Sequence, residues 1–518
     1  MTDIIIGSRI LDVLTTGMYP DALDAIREYI QNSFDAIRRA ESVGILKPNF
    51  GEVTVSIDIE KRVVTVRDNG IGIPAAEAPT TLLSIGASKK KIGQDAGFRG
   101  IGRLAGLAYC ERLVFTTSSN DEPFQTELTF DAAAIRSSIS PTSSTGDIET
   151  AAELLIRSTK QRKVDRKPGP PFFEVKLIGV DGTCPFLNIE EVRGYLRQVA
   201  PVEFNMQAFV YGNSKIKDFL DAHKARKTIN LTLEYGGRQE KINKPYKTFY
   251  EAGNRTNNRV DIVDIETRVD TASPPLWIAW LAIPTELAGT INADEVRGIR
   301  LRANNIQIGD HRTFSKIFEK VRKTHSRFNG WFAGEVHILD QRIIPNSRRD
   351  YFEDNEIWRD AERTLVDWAR DLAKRAYQNS TDRNRPVESI TNDADEFISG
   401  IAGETEKGFV SETQRESTLQ NIEEQEQQLE RAISPSRSDE ENELLRRKME
   451  EVAKLREMAA KPKSLIDESG LKRGERSVLR LVMNIVHDIC GVEAAKQVAE
   501  EVDKKLKQKA RKKANGAQ

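Results

Sequence analysis

Hydrophobic and polar positions fall into three regimes along the chain. Over residues 1 to about 185, helical and strand periods alternate. Pro20-Asp21-Ala22-Leu23-Asp24-Ala25-Ile26 opens a segment in which Leu23, Ile26, Ile30 and Ile37 recur at helical spacing, predicting a helix to about Ala40. Val53-Thr54-Val55-Ser56-Ile57-Asp58-Ile59 and Val63-Val64-Thr65-Val66 alternate with period two and predict a hairpin pair of strands. Strands are also expected at 112–118, 124–130 and 172–178, a polar Ser/Thr-rich loop at 137–150, an inserted helix and basic loop at 149–167, and an apolar helix from Leu104 to Tyr109.

From about 186 to 380 the periods mix. Residues 229–235 and 275–283 predict strands; 355–377 predicts an amphipathic helix with Ile357, Trp358, Ala361, Leu365, Trp368 and Leu372 on one side. The polar run 378–386 marks a boundary near 380. Beyond it, 381–518 is charged and helical. Leu419, Ile422, Glu426, Leu429 and Ile433 follow heptad spacing with a charge inside the seam, and Leu445, Met449 and Val452 repeat it. Such short runs suit a helical hairpin or partner helix, and equally a solvated helix packed on its own domain. Residues 476–503 predict a more apolar helix pair around Gly491. The lysine-rich tail from Lys504 to Lys513 reads as a solvated end, with a nucleic-acid arm as the alternative.

Composition narrows the classes. A chain of 518 residues is expected to hold about two to four domains, at about 150 residues each. Lys+Arg number 78 and Asp+Glu 79, so the net charge of −1 does not indicate a strongly basic nucleic-acid binder. Three cysteines without a shared CxxC spacing exclude a disulfide framework and do not suggest a zinc site. The start MTDIIIGSRILDVL does not read as a signal peptide, and the apolar run 276–283 is too short to span a bilayer. The expected compartment is the cytoplasm, with no membrane partner.

Three segments carry the chemistry. Glu28, Asn32 and Asp35 are spaced i, i+4 and i+7, so one helix face carries two acids and an amide, with Gln31 beside them. An amide oxygen suits Mg²⁺, and Glu28 is placed to polarise a water. Alone, this would be an ordinary solvated face. Asp68-Asn69-Gly70-Ile71-Gly72-Ile73 follows a strand: a carboxylate can accept from an amine, and the glycines let backbone turn tightly against a flat ligand. Gly97-Phe98-Arg99-Gly100-Ile101-Gly102 precedes a helix, as in a phosphate cradle, although a bare turn has the same pattern.

Together and in this order the segments resemble the Bergerat nucleotide site of the GHKL ATPases: gyrase, heat-shock chaperone, histidine kinase and mismatch-repair proteins. No P-loop GxxxxGK[ST] is present. The fold class this implies is α+β: an N-terminal Bergerat α/β sandwich ATPase domain over 1–185 with an ATP lid at about 74–103, an α/β transducer-like middle domain over 186–380, and a helical C-terminal region over 381–518, coiled-coil or dimerising. The cofactors implied are ATP and Mg²⁺. By resemblance, Glu28 is the general base, Asn32 the Mg²⁺ ligand, Asp35 a support of the pocket, and Asp68 the acceptor of the adenine amine above Gly72. Asn69, Gly70 and Ile73 complete that turn. Gly97, Phe98, Arg99, Gly100, Ile101 and Gly102 wrap the phosphates, and Lys89, in a lid segment similar to IGxSxK, meets one, with a solvated run of three lysines as the equal alternative. Hydrolysis fits Glu28 better than phosphotransfer to a histidine.

Residues 195–204 and 343–352 resemble middle-domain segments of relatives of the ninety-kilodalton heat-shock chaperones, where a loop arginine reaches the γ-phosphate. Arg349 matches best, with Arg348 as its neighbour; a surface ion pair of Arg349 with Asp350 or Glu353 is the competing reading. Gly169-Pro170-Pro171 stands where those chaperones carry Gly-Thr, and nothing beyond 380 resembles their dimerisation domain. The resemblance implies an ATP-hydrolysing, nucleotide-gated clamp, dimeric, acting on a protein client. The alternative is a DNA-associated or host-defence ATPase of the microrchidia or topoisomerase-subunit type, working with a partner effector and contacting nucleic acid through 160–167, 215–227 and the terminal lysines. A third is an assembly protein holding ATP as a structural ligand.

Overall fold

The computed structural model of the protein describes residues 6–13, 17–19, 21–86, 95–97, 100–140, 149–253, 259–434, 437–461 and 464–515. Two compact units divide it, 1–373 and 374–518, and the division falls within the helix Glu356–Asn384.

Eight strands build the first sheet: β1 Glu52–Asp58, β2 Val63–Asp68, β3 Arg112–Ser118, β4 Phe124–Asp131, β5 Thr159–Asp165, β6 Phe172–Ile178, β7 Asn230–Tyr235 and β8 Arg238–Ile242. Their order is β5-β4-β3-β6-β2-β1-β7-β8. β1 and β2 form the predicted antiparallel pair, with Val55 opposite Val66. Alternation buries Val53, Val55 and Ile57 on one face. The predicted first helix, Leu23–Ser42, packs there, and its Ile26, Tyr29, Ile30, Phe34 and Ile37 join one core with Val66, Leu113 and Phe115.

The structure corrects three local expectations. The basic stretch after the inserted helix Ala151–Arg157 is β5, not a loop. β5 pairs with β4, and Arg162 forms an ion pair with Glu127 across the ladder at 2.9 Å. As an edge strand exposed along most of its length, it lacks the alternating burial that sequence reads as a strand. The segment expected as an apolar helix from Leu104 is a 3-10 helix, Gly102–Ala108. Gly106 lets it lie against the first helix, since a Cβ there would stand 2.3 Å from Tyr29 Oη. Finally β7 and β8, within the stretch assigned to a middle domain, belong to the first sheet: β7 runs parallel to β1 with Val53 opposite Leu231.

The second sheet, in the same unit, has the order β13-β12-β14-β11-β10-β9, with β9 Phe249–Glu251, β10 Arg259–Val269, β11 Trp277–Pro284, β12 Gly298–Ala303, β13 Ile306–Ile308 and β14 Ala333–Ile338. β11 is the expected apolar strand. The helix from Glu356 covers it: Trp277 stacks on Trp368 at 5.6 Å and donates from Nε1 to Thr364 Oγ1 at 2.8 Å. A fully buried charge cluster ties the sheet to its neighbours. Glu335 accepts from Lys244 Nζ at 2.7 Å and from Arg302 Nε at 2.5 Å. Burial alone would raise this carboxyl, but Arg302 and Lys244 hold it well below the usual range. Arg302 also donates to the Gln198 carbonyl at 3.0 Å, so the cluster fastens β12 and β14 to the helix Ile189–Val199.

The second unit is helical, as expected. Helices Val387–Lys407, Glu412–Ala432 and Asp439–Ala460 share a core of Ile390, Ile422, Leu429, Leu445 and Val452. Glu426, the charge in the heptad seam, is drawn to Arg456 Nη1 at 3.1 Å. The last helix, Arg473–Asn515, breaks at Gly491, whose φ of +81° is the left-handed conformation that glycine tolerates. No helix among the described residues is long and apolar enough to cross a membrane.

Candidate functional site

The first long helix presents Glu28, Asn32 and Asp35 along one stripe, and the stripe is covered. Glu28 is 7% and Asp35 3% exposed, which removes the solvated-face reading. Asp35 accepts from the backbone N–H groups of Ala96 at 2.7 Å and Gly97 at 3.0 Å, anchoring the start of the glycine-rich segment. At the other end of that segment, a Cβ on Gly102 would stand 2.0 Å from Glu28 Oε2. Any side chain there would displace the carboxylate. Gly100 has φ +73°, again a glycine conformation.

Beside this stripe lies a cavity of about 980 Å³, lined by Asn32, Asp68, Gly72, Ile73 and Phe173 among others. Its size suits a nucleoside-sized ligand. Asp68 ends β2, is 3% exposed, and accepts from Gly70 N–H at 2.9 Å. Gly72 has φ +66°, and a Cβ there would lie 2.1 Å from the Ser118 carbonyl. Ile73 N–H donates to Thr117 Oγ1 at 2.8 Å, and Thr117 Oγ1 donates to the Phe172 carbonyl at 3.1 Å. This buried threonine of β3 thus supports the turn close to Gly169-Pro170-Pro171. Asn69 and Gly70 are not on the cavity wall. Asn69 accepts from Glu52 N–H at 2.8 Å and donates to the Phe50 carbonyl at 3.0 Å, while Gly70 faces Ala36. Both shape the turn from behind because Asn69 faces the start of β1.

A second, smaller cavity of about 40 Å³ lies at Glu28, between Gly97, Gly100, Ile101 and Gly102 on one side and Ser347 and Arg349 on the other. Arg349 is 6% exposed; its Nε donates to Glu28 Oε1 at 3.1 Å and its Nη2 to the Ala96 carbonyl. The loop that delivers it is tied locally. Asn346 N–H donates to the Tyr351 carbonyl at 2.9 Å, Asn346 Nδ2 to Asp350 Oδ1 at 2.7 Å, and Arg349 N–H to the Asn346 carbonyl at 3.0 Å. Arg349 itself has φ +57°, a left-handed backbone costing on the order of 1–2 kcal/mol for a residue with a Cβ. The competing surface ion pair of Arg349 with Asp350 or Glu353 is not what forms. Burial pulls the Arg349 guanidinium below its ordinary range, and Glu28 offsets this.

Arg348 points elsewhere. Its carbonyl accepts from Arg27 Nη2 at 3.1 Å, and it lines a separate polar cavity with Asp21 and Asp24. Lys89, Phe98 and Arg99 lie outside the described residues, as does part of the 74–103 segment. Sequence reasoning missed Tyr19, Arg103 and Ser347. Tyr19 lines the small cavity, 2% exposed, and burial followed by Glu28 pushes its hydroxyl far above its ordinary value. Only Arg103 carried a sequence signal, its adjacency to Gly102.

Residues 21–159 match the family described as histidine kinase-, DNA gyrase B-, and HSP90-like ATPase. The N-terminal domain is a GHKL ATPase domain. The chain is also similar to the chaperone protein HtpG of Acinetobacter baylyi, 33% identical over 124 residues, which cover 20% of this chain and 19% of that protein. The match thus spans about a fifth of either chain, and together with the family match it supports a GHKL ATPase related to HSP90. Of the residues gathered at the two cavities, those from Glu28 to Gly102 fall inside the matched span; Tyr19, Phe173, Ser347 and Arg349 do not.

Proposed function

We propose that the chain binds ATP with Mg²⁺ across the two cavities and hydrolyses it, and that nucleotide state gates a clamp acting on a protein client. The observation that carries this is Arg349, brought from beyond the second sheet into contact with Glu28 of the ATPase domain. In this reading Asp68 accepts the adenine amine over Gly72, and the glycine-rich segment holds the phosphates. Glu28 takes a proton from the attacking water. Arg349, paired with Glu28 as described, turns its charge to the γ-phosphate, where an arginine fork stabilises phosphoryl transfer.

The Mg²⁺ assignment is consistent with the donor set. Among the described residues no three His, Cys, Asp or Glu side chains cluster, so the Asn32 oxygen would act with waters and phosphate oxygens, as this ion prefers. When bound, the ion would neutralise phosphate charge.

The client class is tested by steady-state ATP hydrolysis with added unfolded protein and, separately, added duplex DNA. We expect turnover to rise several-fold with unfolded protein and to stay unchanged with DNA. Stimulation by DNA alone would favour the nucleic-acid reading instead. Three basic side chains of the 215–227 stretch named for that reading are ion-paired: Lys215 with Asp264, Lys217 with Asp221, Arg226 with Glu203.

A homodimer is part of this proposal. On the last helix Val478, Leu481, Ile485 and Ile489 stay 61%, 60%, 47% and 78% exposed at near-heptad spacing, an apolar seam that suits a second copy. Light scattering should give twice 58.3 kDa for the wild type, and Leu481→Glu with Ile485→Glu should return it to the monomer mass. A wild-type monomer at micromolar concentration contradicts this part.

A further inference from the structure

Arg103 is a mostly buried cation of the ATPase domain, and among the described residues no acid stands beside it. It follows Gly102 on the 3-10 helix, and one Nη donates to the Ser84 carbonyl. Its Nε is buried without a hydrogen-bond partner. Burial alone pulls the guanidinium down to about 10, with no neighbouring charge acting against it. The other buried arginines of this region differ: Arg27 pairs with Asp24 at 3.0 Å and Arg349 with Glu28 at 3.1 Å. A desolvated charge without a partner is costly, and folds keep one where a ligand supplies the missing charge.

Its position says which ligand. Arg103 and Asn32 line both the 980 Å³ cavity at Asp68 and the small cavity at Glu28. A ligand reaching from Asp68 to Glu28 passes between them. With a base at Asp68 and the terminal phosphate at Glu28, the segment at this throat is the polyphosphate. We propose that Arg103 is an anion-binding residue for the α- and β-phosphates of the nucleotide, adding a guanidinium fork to the backbone cradle of the glycines. Arginine suits this because its planar donors can engage two phosphate oxygens at once. The same side chain donates to the Ser84 carbonyl, just past the helix Ala78–Leu83, so one guanidinium links phosphate binding to the end of that helix. The inference rests on the ATP-site reading above.

The test is calorimetric binding of ADP and of adenosine to the full chain in Mg²⁺ buffer, for wild type, Arg103→Met and Arg103→Lys. Loss of charge-assisted hydrogen bonds should weaken ADP about 10- to 100-fold in Arg103→Met. Adenosine affinity should change less than about threefold, since it lacks the anion, and Arg103→Lys should recover part of the loss. The nucleotide-free melting temperature of Arg103→Met should not fall, because an unpaired buried charge has been removed. Wild-type ADP affinity in Arg103→Met overturns the proposal. So does equal weakening of ADP and adenosine with a lower melting temperature, the signature of a packing role. A wild type that binds neither ligand overturns the nucleotide-site reading itself.

Discussion

Replacing Glu28 with alanine is expected to lower ATP turnover about 10²- to 10⁴-fold, the range a positioned general base supplies. Nucleotide affinity should change only a few-fold, because Asp68 and Gly72 line a different cavity from the Glu28 carboxylate. The substitution also leaves Arg349 buried without its partner, a change that can cost several kcal/mol. Glu28→Gln separates the two effects. It keeps the volume and an oxygen able to accept from Arg349 Nε, but it cannot take a proton from water. If both variants lose turnover while Glu28→Gln keeps the wild-type melting temperature, the loss is chemical. Turnover in Glu28→Gln within threefold of wild type would remove Glu28 from the mechanism.

Arg349→Ala is expected to lower turnover about 10³-fold or more, as for other arginines that stabilise phosphoryl-transfer charge. Arg349→Lys should not restore it, because the guanidinium bridges two acceptors, Glu28 and the Ala96 carbonyl, with two nitrogens. Arg348→Ala is the matched control. Its link to Arg27 runs through the backbone carbonyl, which alanine retains, so turnover should stay within about threefold. The double variant Glu28→Ala with Arg349→Ala should lose far less than the product of the single losses, because the two side chains act as a contacting pair. An Arg349→Ala enzyme with near wild-type turnover would leave the ion pair a structural tie between the ATPase domain and the 345–352 loop.

Much of the candidate site was legible because its demands are local. Gly72 and Gly102 are required by close backbone and carboxylate approach, and such positions show in a single sequence as short glycine motifs. Asp68 follows its strand by the simple alternation of β2. Asn69 and Gly70 lie in the same motif yet face away from the cavity, a distinction that depends on what packs behind the turn. The strand β5 was hidden because an edge strand with little burial has no hydrophobic alternation to show. Within the 3-10 helix Gly102–Ala108, Gly106 N–H donates to Tyr29 Oη of another element, a contact that no local propensity encodes.

Sequence by itself determined β1 to β4, β6 and β7 of the first sheet, the long polar stripe of Glu28, Asn32 and Asp35, and the glycine turns that frame a nucleotide. Periodicity and backbone conformation are properties of neighbouring residues, so they can be read in order along the chain. Only the tertiary structure decided that β7 and β8 extend the first sheet, since either sheet would bury the same alternating face. It alone joined Arg349 to Glu28 across 321 positions and turned Arg348 away. And it alone left Arg103 desolvated without an acid beside it, because the counter-ion of a buried charge is chosen by whatever folding brings within reach.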